Sequence, residues 1–192
     1  MKNLLLILLY VFALNNVNAA DLPSLIIDTD KTIVLDFNDW KSTTLNVSIT
    51  DMSGFEIYED TILPTKKRTQ KFNLKNLPKG YYNVVVSDEY KSVKYDVKVS
   101  NTSVVSVSEG STSYFPQITT TREVIDINLL ALNKKVNISL MDEKGNSIYN
   151  EVINNDPAVT KRLNIANLDR GNYTLRVNIG DASYTELIRL KK

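Results

Sequence analysis

The sequence predicts an all-β protein, two tandem copies of one small sandwich domain behind an export signal. Three observations carry this reading: an amino-terminal apolar run of the signal-peptide kind, a period-two alternation of apolar and polar residues along most of the remaining chain, and a recurrence of that pattern 91 residues later.

Met1-Lys2-Asn3 supplies a positive charge, Leu4 to Leu14 is an almost unbroken apolar run, and Val17-Asn18-Ala19 offers small residues for cleavage. This is the pattern of a signal peptide over residues 1–19. Its eleven apolar residues fall short of the roughly 20 that a spanning helix needs. No later run is longer, so the mature chain is expected to hold no transmembrane segment. There is no cysteine, which removes disulfides, thiolate metal sites and lipid attachment through cysteine. Cleavage after Ala19 removes Lys2 from 23 basic residues and nothing from 22 acidic ones, leaving 22 of each. A nucleic-acid binder carries a basic stripe, and none is visible. The densest cluster, Lys66-Lys67-Arg68, reads as a solvated loop, so no nucleic acid is expected as a partner.

Shifting the sequence by 91 positions aligns Leu45 to Val99 with Val136 to Leu190 without a gap. Asn46, Ser48, Asp51, Gly54, Ile57, Tyr58 and Ile62 meet Asn137, Ser139, Asp142, Gly145, Ile148, Tyr149 and Ile153. Further on, Asn73, Asn76, Leu77, Gly80, Tyr82 and Val86 meet Asn164, Asn167, Leu168, Gly171, Tyr173 and Val177. Turn glycines, tyrosines and polar residues in one register indicate a duplicated domain.

Within each copy the period is that of a strand. Leu45, Val47 and Ile49 alternate with polar residues, as do Val136, Ile138 and Leu140, so one face of each is buried. Tyr82, Val84 and Val86 repeat the pattern, with Tyr173, Leu175 and Val177 and the run Val93, Tyr95, Val97 and Val99. An earlier strand at Ile33 to Phe37 is matched by Ile125 to Leu129 if the next loop of the second copy is one residue shorter. About six or seven short strands per copy is the count of an immunoglobulin- or fibronectin-III-like sandwich. The domains are expected at residues 20–100 and 113–192, with a Ser- and Thr-rich linker at 101–112 in which Val104, Val105 and Val107 suggest a short strand.

Two kinds of turn are legible. Asp51 to Gly54 and Asp142 to Gly145 lie between strand patterns, where the Asp bonds turn amides and the glycine takes positive φ. Their spacing lacks the ligand series of a calcium loop. Leu77 to Tyr82 and Leu168 to Tyr173 place a tyrosine just after a turn glycine, Gly80 or Gly171. That position suits a tyrosine corner, in which the ring fills the core edge and the hydroxyl bonds upstream backbone. Tyr82 and Tyr173 are therefore read as structural.

The second copy runs Val136-Asn137-Ile138-Ser139-Leu140, Asp142-x-x-Gly145, then Leu163-Asn164-Ile165-x-Asn167-Leu168-x-x-Gly171-x-Tyr173-x-Leu175, and closes on Arg189-Leu190-Lys191-Lys192. Over about 60 residues it resembles the carboxy-terminal sorting domain of the type IX (Por) secretion system of Bacteroidetes, and the core motifs recur in the first copy. It also resembles small tandem secreted sandwich proteins of the same bacteria. The resemblance implies an Ig-like fold, passage across the outer membrane, and the outer-membrane secretion machinery or another envelope protein as partner. In that family the domain trails a long cargo, whereas here the cargo would be another copy of the fold.

Catalytic chemistry has little material. There is no histidine, so Ser-His and Cys-His pairs and the commonest zinc ligands are missing. Asp28, Asp30, Asp36 and Asp39 are the one acidic cluster, and a thin sandwich offers no deep pocket to raise a carboxyl pKa or hold an ion. No enzyme, cofactor or metal is expected. Polysaccharide is a candidate ligand, since sugar binding needs exposed flat aromatics. Trp40, in the loop after an early strand, and Tyr81, whose neighbour Tyr82 points inward, are the candidates, with Tyr90, Tyr114 and Phe115 as further exposed rings. The sequence thus reads as a non-catalytic exported interaction module of the periplasm, cell surface or medium, its last domain a candidate sorting signal. The alternatives are a carbohydrate- or surface-binding module and a partner-binding or inhibitor subunit that uses an exposed edge strand.

Overall fold

Period-two burial dictates the architecture of the computed structural model, which describes residues 24–28, 30–38, 40–66, 68–106 and 108–191. The expected signal peptide, Asp39 and Val107 lie outside the described residues. Every regular element among those residues is a strand. No helix among them is long and apolar enough to cross a membrane.

The first domain holds β1 (Ser24–Asp28), β2 (Thr32–Asp36), β3 (Leu45–Asp51), β4 (Glu56–Ile62), β5 (Thr69–Asn73), β6 (Gly80–Ser87) and β7 (Lys91–Val99). One sheet runs β1-β2-β5 and the facing one β4-β3-β6-β7, with neighbours antiparallel. The second domain repeats the plan with β10 (Gln117–Thr120), β11 (Val124–Leu130), β12 (Val136–Asp142), β13 (Ser147–Ile153), β14 (Ala158–Asn164), β15 (Gly171–Ile179) and β16 (Ala182–Leu190). Its sheets run β10-β11-β14 and β13-β12-β15-β16. Seven strands split three and four, the first, second and fifth in the smaller sheet, make a tandem of fibronectin-III-like sandwiches of the immunoglobulin class.

Alternation along each strand fills the space between sheets. In the first domain Ile33 and Leu35 of β2 meet Leu45, Val47 and Ile49 of β3 and Val84 and Val86 of β6, all buried in one cluster that includes Phe72 and Tyr82. Ile125, Ile127, Val136, Ile138, Leu140, Leu175 and Val177 form the equivalent cluster in the second domain. Each such side chain contributes about 1.5–3 kcal/mol on burial, and the two clusters share no residue.

The Ser- and Thr-rich stretch expected as a linker holds two strands. Ser100 starts a tight turn, its amide donating to the Ser103 carbonyl at 2.8 Å. The chain then doubles back as β8 (Val104–Ser106) and β9 (Ser111–Tyr114), both antiparallel to β7. At the far end the Phe115 amide donates to the Tyr90 carbonyl at 2.7 Å, and the Phe115 ring meets Tyr184 of the second domain edge-on at 5.9 Å.

Candidate functional site

The two hairpin turns are built alike. Asp51 Oδ1 accepts the amides of Ser53 and Phe55 at 2.8 and 3.0 Å, and Gly54 sits at φ +85°. Asp142 Oδ1 accepts the amides of Lys144 and Asn146 at 2.9 and 2.8 Å, with Gly145 at φ +81°. Both hairpins carry a register shift at the same point, Ile49/Thr50 and Leu140/Met141. Hydrogen bonds hold both carboxyls below their ordinary pKa, foremost from the Ser53 hydroxyl for Asp51 and the Asn146 side chain for Asp142. Asp51 holds its turn through Oδ1 and Asp142 through both oxygens.

Tyr82 and Tyr173 enter the core at 5% and 7% exposure. Their hydroxyls donate to the carbonyls of Pro78 at 2.8 Å and Asp169 at 3.0 Å, four residues upstream in each case. Gly80 and Gly171, expected within the turns, instead open β6 and β15, and neither has positive φ. Each lies against the tyrosine that follows: a Cβ at Gly80 would come to 3.7 Å from the Tyr82 ring, and one at Gly171 to 3.9 Å from that of Tyr173.

The structure places Trp40 inside, at 6% exposure, where the sequence suggests an open ring. Its indole N–H donates to Asp88 Oδ2 at 2.8 Å and Lys91 Nζ lies 4.8 Å from the ring centroid. Asp88 also accepts the Ser42 hydroxyl and the amides of Tyr90 and Lys91. Burial works against ionisation of Asp88, but these four donors outweigh it and its pKa lies below the ordinary value. Trp40 thus ties the β2–β3 loop to the β6–β7 hairpin and offers no free face for stacking. Beside it runs an open cleft of about 710 Å³ whose lining includes Lys41, Ser42, Asn46, Asp88 and Tyr90.

Tyr81 is 48% exposed, with Lys98 Nζ 5.3 Å from its ring centroid. It begins β6, whereas Trp40 is anchored at Asp88 beyond the other end. At ~3.3 Å per residue the two are separated by about 23 Å along the strand, so they form no common platform. Of the other candidate rings Tyr90 is exposed, and Tyr114 and Phe115 are half-buried.

The acidic cluster is dispersed among bases and amides. Asp28 pairs with Lys71 and Asp30 with Lys75, both at 3.2 Å, while Asp36 accepts the Asn38 amide at 2.9 Å. Among the described residues no group of three or more His, Cys, Asp or Glu could hold a metal ion. Arg122, which sequence reasoning left unassigned, lines a second open cleft of about 710 Å³ at one end of the second domain together with Glu123 and with Arg189 and Lys191 of the closing run.

Fold and surface together define a tandem β-sandwich protein of fibronectin-III-like domains whose strongest motifs serve turns and corners. The chain belongs to the family of secretion system C-terminal sorting domains, which it matches twice, over residues 29–112 and 113–191. The family is that of type IX (Por) secretion, so the protein is secreted or displayed at the cell surface. Sorting domains and sandwiches of this fold are typically non-catalytic.

Among solved structures the chain is similar to a two-domain fibronectin type-III segment of chicken tenascin, with 11% identity and a TM-score of 0.29 over 87% of this chain and 98% of that one. It is also similar to a biofilm-associated protein BSP domain, at 13% identity and a TM-score of 0.30 over 88% of this chain and 29% of that one. The FN1-FN3 domains of chicken CNTN1 give 13% identity and a TM-score of 0.30 over 88% and 64%. No curated protein matches the chain.

Proposed function

We propose that this chain is a non-catalytic module exported in two steps. Residues 1–19 direct it across the inner membrane, and residues 113–192 act as the sorting domain that the outer-membrane secretion machinery recognises. Residues 20–100 are then the cargo, itself a sandwich of the same kind, which meets another envelope component once outside.

The observation that carries this reading is the second family match, over residues 113–191, at the carboxyl side of a complete first sandwich. Two further features support it. The hydrophobic clusters share no residue, so the second domain has the core of an independent folding unit. The cleft where Arg122, Arg189 and Lys191 outnumber Glu123 also gives that domain a net basic surface suited to steering an acidic partner.

Export tests it. Residues 1–112 alone, expressed in a host with a working type IX system, should accumulate in the periplasm, and residues 113–192 placed behind an unrelated periplasmic reporter should carry it to the surface or medium. Normal surface or medium levels of the 1–112 fragment would remove the sorting role.

A further inference from the structure

The two domains treat the same sheet edge differently. In the first, β7 is covered along its length. β9 pairs with Lys91 to Lys94 and β8 with Val97 to Val99, and between them the Asp96 amide donates to the Ser108 hydroxyl at 2.9 Å. The cover fits closely over Tyr95, which is 4% exposed. Gly110 crosses it so near that a Cβ there would stand 2.7 Å from the ring.

In the second domain the 91-residue shift brings β16 onto β7, with Tyr184, Glu186, Ile188 and Leu190 in place of Val93, Tyr95, Val97 and Val99. β16 ends its sheet, and among the described residues nothing pairs with its outer edge. Nine residues of strand therefore present unpaired backbone groups in alternation, a template for an added strand. Leu187 on this edge is 53% exposed.

The substitution of Tyr95 by Glu186 gives that edge a preference. Glu186 lies on the core side of its strand, between half-buried Tyr184 and buried Ile188, yet is itself exposed, and no ion pair engages it among the described residues. A wholly uncharged strand laid there would desolvate an unpaired carboxylate. One with a cation at that point would pair with it. The remaining edges of the two larger sheets, β4 with Glu56, Glu59 and Asp60 and β13 with Glu151, occupy equivalent places in both domains, so the asymmetry is confined to β7 and β16.

We propose that the outer edge of β16 is a strand-accepting site. Its partner is an extended polypeptide segment, antiparallel to β16 and rich in valine, serine and threonine like residues 104–114, with a lysine or arginine where Gly110 meets Tyr95. This goes beyond the sorting role and does not depend on it.

The test uses the isotope-labelled chain from Ala20 onward and two synthetic peptides of residues 101–115, one carrying Gly110→Lys and the other Gly110→Glu. Saturable amide shifts should trace Ala182 to Leu190, with the Gly110→Lys peptide about two- to fivefold the tighter, the size of an exposed ion pair. In the Glu186→Lys chain, whose exposed position tolerates the change, the preference should reverse. Shifts confined to β4 or β13, no shifts with either peptide, or equal affinity for both would overturn the proposal. So would concentration-dependent shifts along β16 without peptide, which would assign the edge to a second molecule of this chain.

Discussion

The Tyr82 hydroxyl reaches the carbonyl of Pro78 at 2.8 Å, closing the turn that leads into β6. Tyr173 does the same to Asp169 at 3.0 Å on entry to β15. Replacing either tyrosine by phenylalanine keeps the buried ring and deletes only this bond. Each substitution should destabilise its own domain by about 1 kcal/mol, a fall of roughly 4–8 °C in that domain's melting midpoint. Calorimetry resolves it, and unchanged midpoints in both variants would mean that the hydroxyls hold nothing in place.

These tyrosines were visible in the sequence because ring, glycine and turn lie within six residues and recur at a fixed shift. The strands of the larger sheets were equally legible, since burial of one face forces period-two spacing. The cover on β7 was legible only as a short strand at Val104 and Val105: edge pairing uses backbone groups, which leave no side-chain trace, so the rest of residues 101–112 read by composition as a linker. Trp40 misled for a related reason. Its partner Asp88 lies 48 residues away, and no local spacing announces a bond of that kind. β1 and β10, mostly exposed, have too little buried face to show alternation.

The response to pH follows from five depressed carboxyls. The Ser53 hydroxyl for Asp51, Arg162 for Asp126, the Asn146 side chain for Asp142 and Lys161 for Glu151 are the leading causes, while at Asp88 several donors overcome burial. Folded values below the unfolded values of about 3.9 for aspartate and about 4.3 for glutamate mean that this stabilisation is complete above those pH values and is lost as pH falls through the folded ones. With no histidine in the chain, stability should be flat from about pH 5 to 8. At the alkaline end Tyr95, pushed up to about 12 by burial, should withdraw stability above about pH 10 as unfolded tyrosine ionises. Denaturant midpoints across the range provide the check. A midpoint that rises between about pH 4 and pH 2 would contradict the assignment, and Asp88→Asn should reduce the acid loss.

Gly110 and Gly54 separate backbone strain from packing. Both have positive φ, +97° and +85°, but a Cβ at Gly54 meets nothing within 4 Å, whereas one at Gly110 meets Tyr95 Cε1 at 2.7 Å. Gly54→Ala should cost only the conformational penalty, about 1–2 kcal/mol. Gly110→Ala should cost more and lift the cover from β7, raising amide exchange along β8 and β9 by at least about tenfold, the factor for 1.4 kcal/mol. Equal exchange in the two variants would show that the cover does not depend on this close approach.

One hydroxyl present in the β3–β4 hairpin is missing from its repeat. Opposite Asn46 stands Thr61, whose hydroxyl donates to Asn46 Oδ1 at 3.0 Å. Opposite Asn137 stands Val152, and Asn137 Oδ1 is buried with no hydrogen-bond partner. Threonine is close to valine in volume, and Val152 is 44% exposed, so Val152→Thr gives up little apolar burial while supplying the missing donor. It should stabilise the second domain by about 0.5–1.5 kcal/mol, and Thr61→Val should destabilise the first by a similar amount. Urea midpoints of the two variants measure both changes. A neutral Val152→Thr alongside a costly Thr61→Val would mean that solvent already satisfies Asn137, and that only the first domain draws stability from this pair.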